Sequence, residues 1–74
     1  MRVTIKLYTS LFQEGRFASE ERDLPEETQV WEVIESLQIK PSETMVFVNG
    51  KHVKKNYILC DGDCLALMPP MRGG

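Results

Sequence analysis

The apolar periodicity of this 74-residue chain switches from two to about 3.6 and back to two, and few folds accommodate that order. Val3, Ile5 and Leu7 alternate with Thr4, Lys6 and Tyr8, as in a half-buried strand. A loop is expected from Thr9 to Phe17, turning near Gly15. Ala18 to Leu24 is charged and weakly patterned, and reads as an edge strand blunted by Glu20, Glu21, Arg22 and Asp23 and ended by Pro25. Val30, Val33, Ile34 and Leu37 then fall at i, i+3, i+4 and i+7, one apolar stripe on a helix from about Val30 to Leu37. Glu26 and Glu27 precede it, where negative charge suits the macrodipole; either Thr28 or Gln29 takes the cap position, Thr28 having the better capping side chain. So short a helix needs a sheet to hold it. Pro41 blocks its continuation.

Period two returns at Met45-Val46-Phe47-Val48, followed by Asn49-Gly50, a hairpin pair whose two residues both need positive φ. Lys51-His52-Val53 reads as the returning strand, Asp61-Gly62-Asp63 as another turn, and Cys64 to Met68 as the last strand. Pro69-Pro70 removes two backbone donors and stops pairing. The order strand, strand, helix, strand, strand, strand implies an α+β fold, with one main helix packed on one face of a mixed sheet of about five strands. Residues 1–68 are expected to form the domain and residues 69–74 an extended tail.

A domain of this size buries only about 60% of the surface its unfolded chain exposes, so a deep substrate cavity is not expected. The net charge is −2, and the basic residues are scattered apart from Lys51, Lys54 and Lys55. A nucleic-acid partner is therefore not expected, and Lys54-Lys55 reads as a solvated turn. The longest apolar run, Leu65 to Met68, is too short to span a membrane, and the alternating start does not resemble a signal peptide. The expected location is cytoplasmic. Cys60, Cys64 and the single histidine, His52, are too few to close a tetrahedral zinc site, and both cysteines read as free thiols. No nucleophile, histidine and acid set and no Gly-rich phosphate loop is present, so the chain does not read as an enzyme.

The unusual feature is the end of the sequence, Met68-Pro69-Pro70-Met71-Arg72-Gly73-Gly74. Pro-Pro favours an extended conformation that projects from a sheet. Glycine lacks a Cβ, so Gly73-Gly74 could thread a narrow channel and leave its carbonyl open to attack. A carboxylate is a poor acyl donor until activated, and conversion to an acyl-adenylate by ATP would let a nucleophile displace AMP. Such a tail is suited to be another enzyme's substrate.

With these residues in view, the whole chain resembles the MoaD/ThiS family of ubiquitin-like sulfur carriers. Thr28-Gln29-Val30 through Leu37 is similar to the family's helix start, and Val46-Phe47-Val48-Asn49-Gly50 to its hairpin. The most specific stretch is Leu59-Cys60-Asp61-Gly62-Asp63, with Leu65-Ala66-Leu67-Met68-Pro69-Pro70 and Gly73-Gly74. The resemblance implies a β-grasp fold and leans toward the small subunit of molybdopterin synthase. It also implies that a ubiquitin-activating-like adenylyltransferase uses ATP to adenylate Gly74, and that a persulfide sulfur donor converts it to a thiocarboxylate. The large subunit of molybdopterin synthase, or another acceptor, would take the sulfur. Gly74 would be the reacting residue and Gly73 its sterically required neighbour, with no cofactor or metal bound by the chain itself.

If Val46, Val48, Leu65 and Leu67 face the helix, Phe47, Ala66 and Met68 face the other way. The resemblance makes the third and fifth strands neighbours, so these residues should form an exposed apolar patch leading into Pro69, Pro70, Met71 and Arg72. Such patches mark partner sites. Other functions fit the same residues: a carrier for thiazole or another thiolated product, or a protein modifier joined to lysines through Gly74, since Arg72-Gly73-Gly74 resembles the end of ubiquitin.

Overall fold

A computed structural model describes residues 1–8, 19–40, 42 and 44–68 of the chain. The expected loop from Thr9 to Phe17, with Ala18 and Pro41, lies outside the described residues, as does the whole of 69–74.

Six elements appear in the expected order: β1 (Arg2–Leu7), β2 (Ser19–Asp23), α1 (Val30–Ser36), β3 (Met45–Val48), β4 (Lys51–His52) and β5 (Cys64–Met68). The five strands form one sheet in the order β2-β1-β5-β3-β4. Only β1 and β5, at its centre, run parallel; the other pairs are antiparallel. The third and fifth strands are neighbours, as the resemblance implied.

The inward sets are those that the alternation named. Val3, Ile5 and Leu7 from β1, Val46 and Val48 from β3, and Leu65 and Leu67 from β5 are buried together with Val30, Val33 and Ile34 of the helix and Leu59 from the preceding loop. Burying each such side chain contributes about 1.5–3 kcal/mol, which holds a helix too short to persist alone.

Of the two expected cap positions, the helix uses Gln29. Gln29, with extended backbone, is the N-cap, and the Glu32 carboxylate reaches back to accept its N–H at 2.8 Å. The better capping side chain, Thr28, donates instead to the Pro25 carbonyl at 2.7 Å and closes the preceding turn. Glu26 pairs with the Met1 ammonium at 3.5 Å, and Glu27 adopts φ 66°, so Glu32 is the acid in the first turn. At the other end Leu37 is the C-cap, and Gln38 follows at φ 62°.

The edge strand β2 is charged on both sides. Glu20 lies opposite Ile5 and Arg22 opposite Val3, which turns both toward the helix side, where they pair with each other. Glu21 and Asp23 face the other way and flank Arg2 at 3.5 and 3.2 Å. Inward-pointing charge at an edge discourages further strand addition.

Candidate functional site

The sheet face away from the helix carries the residues expected to dock a partner. Phe47 lies directly opposite Ala66, and Met68 opposite Met45. Directly opposite residues share a face, so these four side chains form one block. Ala66 also pairs with Lys6, and Phe47 with His52. One transverse row therefore runs Ser19, Lys6, Ala66, Phe47, His52 across the whole sheet. Beside Met68, the Tyr8 N–H continues the parallel ladder to the Leu67 carbonyl at 3.1 Å, and the Tyr8 side chain is 38% exposed.

The patch differs from expectation in two respects. Phe47, Ala66 and Met68 are half-buried, not exposed. Phe47 has His52 beside it, whose ring centre lies 5.3 Å from the phenyl centre with the planes tilted by 57°. The patch is also larger, since Met45 belongs to it. The alternation in Met45-Val46-Phe47-Val48 already put Met45 on the face of Phe47. Pro69, Pro70, Met71, Arg72, Gly73 and Gly74 lie outside the described residues.

The turn before β5 fixes where that strand starts. Asp63 is 7% exposed, and its carboxylate accepts the Cys60 N–H at 2.8 Å and the Asn49 side-chain amide at 3.0 Å. The Asn49 side-chain oxygen accepts the Cys64 N–H at 2.9 Å. A carboxylate can only accept, so the Asn49 NH2 must face it. Gly62, at φ 88°, lets the turn bring its N–H to the Arg2 carbonyl at 2.8 Å, while the Asp61 carboxylate accepts the Arg2 N–H at 2.7 Å. One turn thus ties β1, the β3–β4 hairpin and β5 together. Sequence reasoning took Asp63 for a turn residue and missed this network. The Asp63 charge, with some desolvation and the Cys60 thiol, raises the Tyr57 phenol above its ordinary 10.0.

Cys60 and Cys64 are free thiols, Cys60 exposed and Cys64 half-buried. Among the described residues no three His, Cys, Asp or Glu side chains group closely enough to hold a metal ion, and no helix is long and apolar enough to cross a membrane.

A mixed five-stranded sheet clasping one helix defines the ubiquitin-like β-grasp class. The sequence model of the ThiS family matches residues 5–74, and the chain belongs to that family of small ubiquitin-like sulfur carriers. Its members are carriers and not themselves enzymes. Among curated proteins, none matches the chain. Solved structures agree on the fold. A Pyrococcus furiosus protein described as molybdopterin converting factor, subunit 1, is 25% identical, with 95% of this chain and 98% of that one covered and a TM-score of 0.77. One chain of a Helicobacter pylori complex of subunits 1 and 2 of molybdopterin-converting factor is 22% identical, with all of this chain and all of that one covered and a TM-score of 0.66. SAMP1 of Haloferax volcanii gives 21% identity over the full length of both chains and a TM-score of 0.76.

Proposed function

We propose that this protein carries sulfur on Gly74 as a thiocarboxylate and donates it in molybdopterin synthesis. In the first step the Gly74 carboxylate attacks the α-phosphorus of ATP on an adenylyltransferase, releasing pyrophosphate. A persulfide sulfur then displaces AMP from the acyl-adenylate. A second thiol then attacks the donor's own sulfur, forming a disulfide with it and releasing the thiocarboxylate. The sulfur-bearing end next enters the large subunit of the synthase. ATP is the activating enzyme's substrate, and the chain contributes the acyl group.

The observation that carries this reading is the continuity of the apolar face with the Gly-Gly end. Met45, Phe47, Ala66 and Met68 form one block, and Pro69-Pro70-Met71-Arg72-Gly73-Gly74 follows Met68 directly. A partner seated on that block has the reacting carboxylate within six residues, at most about 20 Å of extended chain. The Helicobacter pylori neighbour, solved with its subunit 2, supports a large-subunit partner. The reading is of a cytoplasmic protein.

The test is intact mass after incubation with ATP, the adenylyltransferase encoded in the same genome and a persulfide source in excess thiol. The expected gain is one oxygen replaced by sulfur, lost when Gly74 is deleted. An unchanged mass with all three present would remove the carrier reading.

A second reading is favoured by Arg72-Gly73-Gly74 and by the likeness to the Haloferax volcanii protein, a small archaeal modifier. Here Gly74 is joined to lysines of other proteins. Heavier Gly74-dependent products in cells, without a thiocarboxylate, would favour it.

A further inference from the structure

The Asn49-Gly50 turn carries a chemistry that the fold holds in check. An asparagine followed by glycine is open to attack by its own backbone on the side-chain amide, because no Cβ shields the glycine nitrogen. Asn49 and Gly50 are both exposed, and a Cβ at Gly50 would meet nothing within 4 Å. Crowding therefore does not protect the pair. The Asn49 amide is instead fastened at both ends. Its Nδ2 donates to the Asp63 carboxylate at 3.0 Å, and its Oδ1 accepts the Cys64 N–H at 2.9 Å. The Asn49 N–H also donates to the Cys64 carbonyl at 2.9 Å. Attack makes the amide carbon tetrahedral and expels Nδ2, so both side-chain bonds must be given up before the reaction can proceed.

We propose that Asn49 is a deamidation site guarded by Asp63, and that its conversion to an acid unfastens the start of β5. The Gly50 nitrogen bonds to Asn49 Cγ, the Cγ–Nδ2 bond breaks, and ammonia leaves with the Gly50 amide proton. Water then opens the resulting succinimide at either carbonyl, giving aspartate or isoaspartate. No reagent other than water is consumed. Aspartate at this position puts a second carboxylate where the amide donated to Asp63, a residue only 7% exposed. Two carboxylates at that distance repel, and neither can donate to the other. Isoaspartate lengthens the backbone of the turn and carries the side chain away from Asp63 and Cys64. Either product removes the bonds that fix β5 against the β3–β4 hairpin, and with them the support for pairing Met68 with Met45. The modification thus loosens the folded chain as it ages.

The test follows deamidation at Asn49 by peptide mass and isoaspartate labelling. The folded wild type should react at least about tenfold more slowly than the same chain held unfolded in urea. Asp63→Ala, folded by circular dichroism, should lose most of that protection. Val33→Ala, a truncation in the helix core that also lowers stability, should keep it. Urea unfolding then reads the effect of the product. Asn49→Asp and Asp63→Asn should each lower the midpoint. Together they should regain most of the loss, because the exchanged amide again donates to a carboxylate and each oxygen still accepts its backbone N–H. Equal rates in the folded and unfolded chains, or equal acceleration by Val33→Ala and Asp63→Ala, would overturn the guarding by Asp63. A wild-type midpoint for Asn49→Asp, or no recovery in the exchanged pair, would overturn the effect on β5.

Discussion

The Asp63 carboxylate accepts a hydrogen bond from the Asn49 side-chain amide at 3.0 Å, joining two turns fourteen positions apart. The same carboxylate takes the Cys60 N–H, and the Asn49 oxygen takes the Cys64 N–H. The start of β5 is therefore set by the hairpin between β3 and β4, and the outward pairing of Met68 with Met45 depends on that register.

Replacing Asp63 with Ala should cost about 2 kcal/mol, the scale of hydrogen bonds to a charged group at a nearly buried site. Urea unfolding measures it. Asn49→Gly keeps the positive-φ turn but removes the amide, and should cost less. In the double variant the two losses should fall short of their sum, because they share one bond.

Gln38 follows the helix C-cap at φ 62°, where an L residue loses roughly 1–2 kcal/mol to steric crowding. Glycine removes that cost and gives back about 0.5–1 kcal/mol through unfolded-chain entropy. Gln38→Gly should therefore stabilise the domain by about 0.5–1 kcal/mol, read as a higher urea midpoint at constant slope.

Phe47→Ser with Met68→Ser should leave the far-ultraviolet circular dichroism unchanged, because both side chains face away from the core formed with the helix. It should lower kcat/KM for adenylation of the carrier by about tenfold or more, the usual weight of central aromatic anchors. Normal activation of the folded double variant would mean that the patch is not the docking face.

Tyr57 should titrate above 10.0, since the Asp63 carboxylate disfavours a second negative charge nearby. The folded protein then holds the phenolic proton where the unfolded chain has released it. Stability should consequently fall as pH rises past 10.0. Tyrosine absorbance in a Tyr8→Phe background reads the titration of Tyr57, and Asp63→Asn should move it back down.

Period-two alternation was enough to divide β3 and β5 into inward valines and leucines and an outward Phe47, Ala66 and Met68, because successive side chains of a strand must point to opposite faces. The i, i+3, i+4 stripe likewise identified Val30, Val33 and Ile34 as core, and Asn49-Gly50 set the hairpin. These are local rules. What tertiary structure decided depends on groups far apart in the chain. Asp63 is buried because Asn49 and Cys60 supply its hydrogen bonds, and nothing in Asp61-Gly62-Asp63 alone announces that. Phe47 has the His52 ring beside it because β4 pairs with β3 in that register. The charged β2 and the short β4 lie at opposite edges of the sheet, a consequence of which strands pair and in what register. Periodicity sets which side of a strand is apolar; only closure of the sheet sets what lies beside it.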